Sequence, residues 1–148
     1  MKKIIALVLA ALMVLSLAGC AAGGKKDDGK FNVAIVLGVG GLGDESFNDS
    51  MYDGCKLAME ADENIVVQVV EPTEVAEFEG HYMELAKSGD YDLVIGSGFD
   101  GVEPMQKVAA EFPEQKFLFV DGDCGAMENV TSVTFRDNEK AFLLGYLA

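Results

Sequence analysis

A set of short apolar runs, each stopped by turn residues and followed by a helical pattern, constrains this chain more than any other feature. Phe31–Leu37 (FNVAIVL) is almost unbroken and ends in glycines. A run of that kind suits a strand covered on both faces, because a half-buried strand would alternate. Ile65–Val70 (IVVQVV), Leu93–Ile95 (LVI) and Phe117–Val120 (FLFV) repeat the pattern. Val130–Phe135 (VTSVTF) is more polar and suits an edge strand or a lobe boundary. Helical spacing fills the gaps. Phe47, Met51, Gly54, Cys55 and Ala58 share one helix face, and Val75, Phe78, Tyr82 and Leu85 share another. A third helix is expected over Val102–Phe112, with Asp100 three residues before Glu103 in a capping-box pattern and Pro104 in the first turn. A fourth begins near Asp137 and is still running at Ala148. Strand and helix alternate at roughly 30-residue intervals, which predicts right-handed βαβ units on a parallel sheet. Ligands on such sheets bind beyond the carboxyl ends of the strands, so the loops after Leu37, Val70, Ile95 and Val120 are the candidate site.

The first nineteen residues read as a secretory signal, with Lys2-Lys3, an apolar Ile4–Leu17 segment and small residues at the end. The apolar segment is shorter than the about 20 residues a spanning helix needs. Leu17-Ala18-Gly19-Cys20 resembles the bacterial lipobox, which implies a thiol at Cys20 carrying acyl chains, palmitate among them. The expected location is outside the cytoplasmic membrane, anchored by that lipid. Residues 20–30 are small and charged and read as a tether. Residues 31–148 are long enough for one core. Cleavage before Cys20 removes two of the 11 basic residues and no acid, leaving 9 against 25, a net charge of −16. That surface repels phosphate backbones, so nucleic acid is an unsuitable partner. Cys55 and Cys124 are read either as a pair or as buried thiols.

Gly38-Val39-Gly40-Gly41-Leu42-Gly43 has the G-x-G-x-x-G spacing of a dinucleotide loop between a strand and a helix. Asp44 and Glu45 argue against it, since a pyrophosphate needs bare N–H groups there. Glu71 lies 28 residues past Gly43, further than the usual ribose contact at about 20. The next residues, Gly43-Asp44-Glu45-Ser46-Phe47-Asn48-Asp49, put acids, a ring and an amide around one helix start. That mixture suits a neutral, planar, hydroxyl-bearing ligand. No G-x-S-x-G, H-E-x-x-H or Cys–His constellation is present, so catalysis is not expected. Asp44, Glu45 and Asp49 lack EF-hand spacing, so neither a metal nor another cofactor is expected.

The G-D-x-S-F-N segment after a glycine loop resembles the basic membrane protein family of substrate-binding lipoproteins, which includes purine nucleoside receptors feeding ABC importers. Ile95-Gly96-Ser97-Gly98-Phe99 is similar to that family's glycine-phenylalanine loop, and Phe119-Val120-Asp121 to its strand ending in Asp. Val130–Arg136 followed by Ala141-Phe142-Leu143-Leu144-Gly145 is similar to its "F-R…aFLaG" segment. The resemblance implies an α/β fold, a three-layer parallel-sheet lobe of the type I periplasmic-binding fold. It also implies that 31–148 is a truncated amino-terminal lobe whose second lobe is missing. The implied partners are a nucleoside, ABC permease subunits and the membrane through the lipid. A sugar or autoinducer receptor on the same fold, or a surface lipoprotein without a transport role, are the alternatives.

Carried onto these positions, the resemblance makes Phe47 a base-stacking ring, with a core position as the alternative. Asn48 becomes a contact to base or ribose, or else a first-turn cap. Asp44 is a ligand contact or the helix cap, and Asp121 accepts from the base or turns the chain before Gly122. Gly98 and Phe99 shape the cleft wall, and Asp100 is expected to cap the third helix.

Overall fold

The computed structural model describes residues 29–148. The signal segment, Cys20 and the tether as far as residue 28 lie outside the described residues. Five parallel strands form one sheet: β1 (Phe31–Val36), β2 (Ile65–Val70), β3 (Leu93–Ser97), β4 (Phe117–Val120) and β5 (Val130–Val133), in the order β2-β1-β3-β4-β5. The helices are α1 (Phe47–Ala61), α2 (Phe78–Ser88), α3 (Val102–Glu111) and α4 (Asp137–Leu147). One turn of 3-10 helix precedes α2 at Val75–Glu77, and another precedes α3 at Phe99–Gly101. All pairings are parallel, with Val33 opposite both Val67 and Leu93 and with Ser97 opposite Val120. The expected three layers are present.

Alternation along each strand divides the interior in two. Ala34, Val36, Val94, Phe117 and Phe119 face α2 and α3, where they pack with Phe78, Tyr82, Leu85, Met105 and Val108. Ile35 and Leu37 face α1 and pack with Cys55, Met51 and Tyr52. Burying side chains of this size contributes about 1.5–3 kcal/mol each, and that holds the layers together against chain entropy. Gly96 admits the close approach of α2 to β3. A Cβ there would run into the Tyr82 hydroxyl and lie 2.9 Å from Met105 Cε.

The expected strands formed, with three differences, the first being that Leu93, Ile95, Leu118 and Val120 on the α1 face of β3 and β4 are only half-buried. Ile65–Val70 is an edge strand rather than one covered on both faces, so Val66 stands 45% exposed. β5 is the other edge and stops at Val133, two residues short of the expected Phe135. Cys55 and Cys124 are free and buried in the two separate cores, on opposite sides of the sheet, so they are thiols and not a pair. Burial pushes both thiols above their ordinary pKa.

On the α1 side the sheet is not fully covered. An apolar groove of about 620 Å³ lies between α1 and the faces of β1, β3 and β4, lined by Phe47, Met51, Ile95, Leu118, Val120 and Phe135 among others. α4 carries exposed Phe142, Leu143, Leu144, Tyr146 and Leu147. No helix among the described residues is long and apolar enough to cross a membrane.

Candidate functional site

The strand order reverses direction at β1, whose two neighbours β2 and β3 leave it on opposite sides. In open parallel sheets the crevice at that switch point, outside the carboxyl ends, is where ligands bind. Here it holds a cavity of about 420 Å³ lined by Gly38 and Val39 after β1, Thr73 to Val75 after β2, and Ser97, Gly98 and Asp100 after β3, with Phe78 beneath. Gly98 takes φ +76°, a left-handed conformation that turns the chain out of β3 across the cavity mouth.

The loop from Gly38 to Asn48 is held by this chain's own side chains. Gly38 N–H donates to Asn48 Oδ1 at 2.8 Å, and Asn48 Nδ2 donates back to the Gly38 carbonyl at 3.3 Å. Leu42 N–H donates to Glu71 Oε2 at 2.7 Å. Gly43 and Glu45 each donate an N–H to the Asp49 carboxylate at 2.8 Å. Asp44 accepts from the N–H groups of Ser46, Asn48 and Asp49 at 2.8, 3.0 and 3.2 Å, which satisfies the open amides at the start of α1. Desolvation works to raise the Asp44 pKa, but donation from the Asn48, Ser46 and Asp49 backbone outweighs it, and the net position is below the ordinary carboxylate value.

This arrangement decides between the two readings of the glycine loop. A dinucleotide loop needs free amides pointing at phosphate oxygens. Here Glu71 and Asp49 already take the amides of Leu42, Gly43 and Glu45, Asp44 takes those at the start of α1, and their negative charge repels a pyrophosphate. The position a ribose-binding acid would occupy is held by Glu71, whose carboxylate is turned onto the loop. Gly41, at φ +63°, is required beside it, because a Cβ there would overlap the Glu71 carboxylate.

The expected site residues are not all gathered in one place. Gly98 lines the switch-point cavity. Phe99 stands 80% exposed beside it. Phe47 is half-buried at the first turn of α1 and lines the apolar groove. It is adjacent in sequence to Asn48, which touches the cavity wall at Gly38. Asn48 itself is buried, with its amide on Gly38. Asp44 is the cap of α1 in function, although the residue at the cap position, Ser46, makes no side-chain cap bond. Asp121 is half-buried at the carboxyl end of β4 with φ +62°, one of two non-glycine residues so placed among the described residues, the other being Glu45. Such conformations cost on the order of 1 kcal/mol and cluster at functional sites. Its N–H donates to the Val133 carbonyl at 2.8 Å, and its carboxylate lies within electrostatic reach of Lys140.

One expectation is corrected. Asp100 does not cap α3, which starts from Gly101 without a side-chain cap bond. The intervening 3-10 turn at Phe99–Gly101 moves the helix start past Asp100, which stands exposed at the cavity's edge. Ser97 was not singled out from sequence, because a small polar residue ending an apolar strand carries no periodic signal. No group of three or more metal-ligating side chains occurs among the described residues.

The fold and its half-open crevice define the class: a lobe of an α/β solute-binding protein. Residues 31–148 match the family model for PnrA-like substrate-binding proteins of ABC transporters, the Bmp family, and the chain belongs to that family. The family is one of substrate-binding proteins and not of enzymes. Among curated relatives, an uncharacterised lipoprotein of Pyrococcus abyssi is 36% identical over 145 residues, covering 95% of this chain and 36% of that protein. The ABC transporter nucleoside-binding protein BmpA of Lactococcus lactis is 32% identical over 160 residues, covering 99% of this chain and 44% of that protein. A solved ABC transporter solute-binding protein from Aeropyrum pernix is 37% identical with a TM-score of 0.73, over 78% of this chain and 31% of that one. A crystallised fragment of a Peptoclostridium difficile lipoprotein is 27% identical with a TM-score of 0.58, over 80% of this chain and 96% of that fragment. The chain thus spans between about a third and less than half of the full-length curated relatives it matches.

Proposed function

We propose that this chain is the amino-terminal lobe of a lipid-anchored solute-binding protein that captures a nucleoside, most suitably a purine nucleoside, for an ABC permease. The observation that carries the reading is the occupied glycine loop. With the amides of Leu42, Gly43 and Glu45 and those at the start of α1 taken by Glu71, Asp49 and Asp44, the crevice rejects phosphorylated ligands. It offers a ring at Phe47, a carboxylate at Asp121 and a polar cavity at the switch point to an uncharged one. A base stacks on Phe47, which its half-exposed place at the cleft end of α1 permits. Asp121 accepts from a base N–H, which gives its strained backbone a purpose. Gly98 and Phe99 form the wall. Asn48 acts through Gly38, holding the cavity edge in place. The name of the Lactococcus lactis relative, a nucleoside-binding protein, supports the ligand class. The lipoprotein names of the Pyrococcus relatives support the anchor at Cys20.

The test is NMR titration of the chain with inosine, guanosine, adenosine and ribose, a method that registers the weak affinity of half a cleft. Shifts on adding nucleosides, centred on residues 38–48, 97–100 and 121, are expected. In the Phe47→Ala variant the affinity should fall by roughly 1–3 kcal/mol, the range for a base stacked on an aromatic ring. An unchanged affinity returns Phe47 to the groove as a packing residue. A response to ribose alone sinks the nucleoside reading.

A further inference from the structure

We infer that the apolar groove beside α1 is the seat of helix α4 from a second copy of this chain, so that two copies exchange these helices in a two-fold pair. The inference goes beyond solute capture and rests on two surfaces that the fold leaves uncovered. The first is α4. Every residue of this helix is exposed, and Phe142, Leu143, Tyr146 and Leu147 stand 61–81% open to solvent. Their spacing puts all four on one stripe of the helix. An isolated helix of 11 residues is marginal in water, because its few backbone bonds barely offset the cost of nucleation. Packing of the apolar stripe is what holds such a helix, and no other element among the described residues covers it.

The second surface is the groove. Met51 and Ala58 of α1 line it with Ile95, Leu118 and Val120 of the sheet, and no lining residue is charged. Parallel sheets keep both faces covered, yet the α1 face of β3 and β4 is open. A helix is the element that covers such a face, and this chain has one helix without a seat. α4 does not take the groove of its own chain. Phe135 lines the groove, but α4 departs after the single intervening Arg136 and lines it at no residue. Exchange of one element between two copies is a low-cost route to a dimer, and reciprocal exchange closes with two-fold symmetry. The α4 stripe offers on the order of 400 Å² of apolar surface. Two helices in two grooves then bury roughly 1,600 Å², the standard size of a stable interface. Both copies are acidic, so the pair forms against charge repulsion and tightens as salt screens it.

The experiment is sedimentation equilibrium on residues 29–148, which hold both cores, at low and high salt. A concentration-dependent dimer that tightens at high salt is expected. Leu143→Gln with Leu147→Gln removes the stripe, keeps helix propensity and adds no charge. That double variant should weaken the dimer at least about tenfold and leave the melting temperature of the dilute chain unchanged. Leu118→Gln puts an amide in the seat and should weaken the dimer likewise. Methyl NMR of wild type covers the case in which Leu118→Gln fails to fold. On concentration, the methyls of Ile95, Leu118 and Val120 should shift together with those of Leu143 and Leu147. Shifts confined to α4 overturn the inference, since they mean that two α4 helices pair with one another. A dimer that persists undiminished in the double variant overturns it as well. A chain that stays monomeric at every concentration also overturns it, and leaves the groove to a further stretch of polypeptide. Open-ended polymers in place of a dimer overturn the two-fold exchange.

Discussion

Replacing Asn48 with alanine tests whether the crevice edge depends on one buried amide. Asn48 is 5% exposed, and its two hydrogen bonds to Gly38 are the only side-chain bonds to the end of β1 among the described residues. Alanine leaves the half-buried Gly38 N–H and carbonyl without those partners. A net hydrogen bond contributes about 0.5–1.5 kcal/mol, and a donor left unmet in a partly dry position costs about 1–3 kcal/mol. The 2.8 Å bond counts in full and the 3.3 Å bond in part, so the expected loss is about 1.5–3 kcal/mol. For a domain of this size that is a fall in melting temperature of roughly 5–12 °C. Urea unfolding followed by far-ultraviolet circular dichroism at pH 7 measures the loss. Asn48→Asp serves as the control. It keeps the acceptor for Gly38 N–H but sets a carboxylate against the Gly38 carbonyl, so its deficit against wild type is greatest at neutral pH. The deficit shrinks as acid restores a donor on that side chain. A loss below about 0.5 kcal/mol in Asn48→Ala, within the range of ordinary surface substitutions, refutes the clamp. The same result would free the Asn48 amide for a ligand.

Two further outcomes are expected. Gly96→Ala drives a methyl into Tyr82 and Met105 and should destabilise the chain by about 1–3 kcal/mol in the same urea assay; unchanged stability would show that α2 can move away from β3. Asp44 has a depressed pKa in the folded chain, so its stabilising bonds are fully present above the ordinary carboxylate pKa and are lost as the pH falls through the depressed folded value. Asp44→Ala should therefore melt below wild type at pH 7, with the gap closing only beneath about pH 3.9, and a gap already closed at pH 5 would contradict the cap.

The fold was legible because burial wrote it in runs. Phe31–Leu37, Leu93–Ile95 and Phe117–Val120 signalled central strands, and their 30-residue spacing pointed to crossover helices, although Ile95, Leu118 and Val120 are left on the open groove beside α1. The edge position of Ile65–Val70 was not legible, since IVVQVV is as apolar as a central strand and strand order is set by crossovers rather than composition. The site was legible in part. Where a residue's role follows from type and position at a helix start, as for Asp44, the sequence pointed to it. Asn48 was harder, because whether an amide meets a ligand or a backbone depends on a contact ten residues away at Gly38. Asp100 misled for a local reason. The capping-box spacing to Glu103 is genuine, but the 3-10 turn at Phe99–Gly101 shifts the helix start by one residue and releases the carboxylate.

The glycine loop shows how the same spacing serves opposite ligands. Its glycines supply the turn geometry, with positive φ at Gly40, Gly41 and Gly43, that would bring backbone amides up to a phosphate. Selectivity is then set by what else reaches those amides. Three carboxylates from different places in the chain, Asp44 and Asp49 beside the loop and Glu71 after β2, bind them first. An incoming phosphate would have to displace a carboxylate from the amides of Leu42, Gly43 and Glu45 and sit among the displaced charges, whereas a neutral ligand need displace none. The acids of the loop therefore close it on the chain itself and put negative charge where a phosphate would otherwise sit.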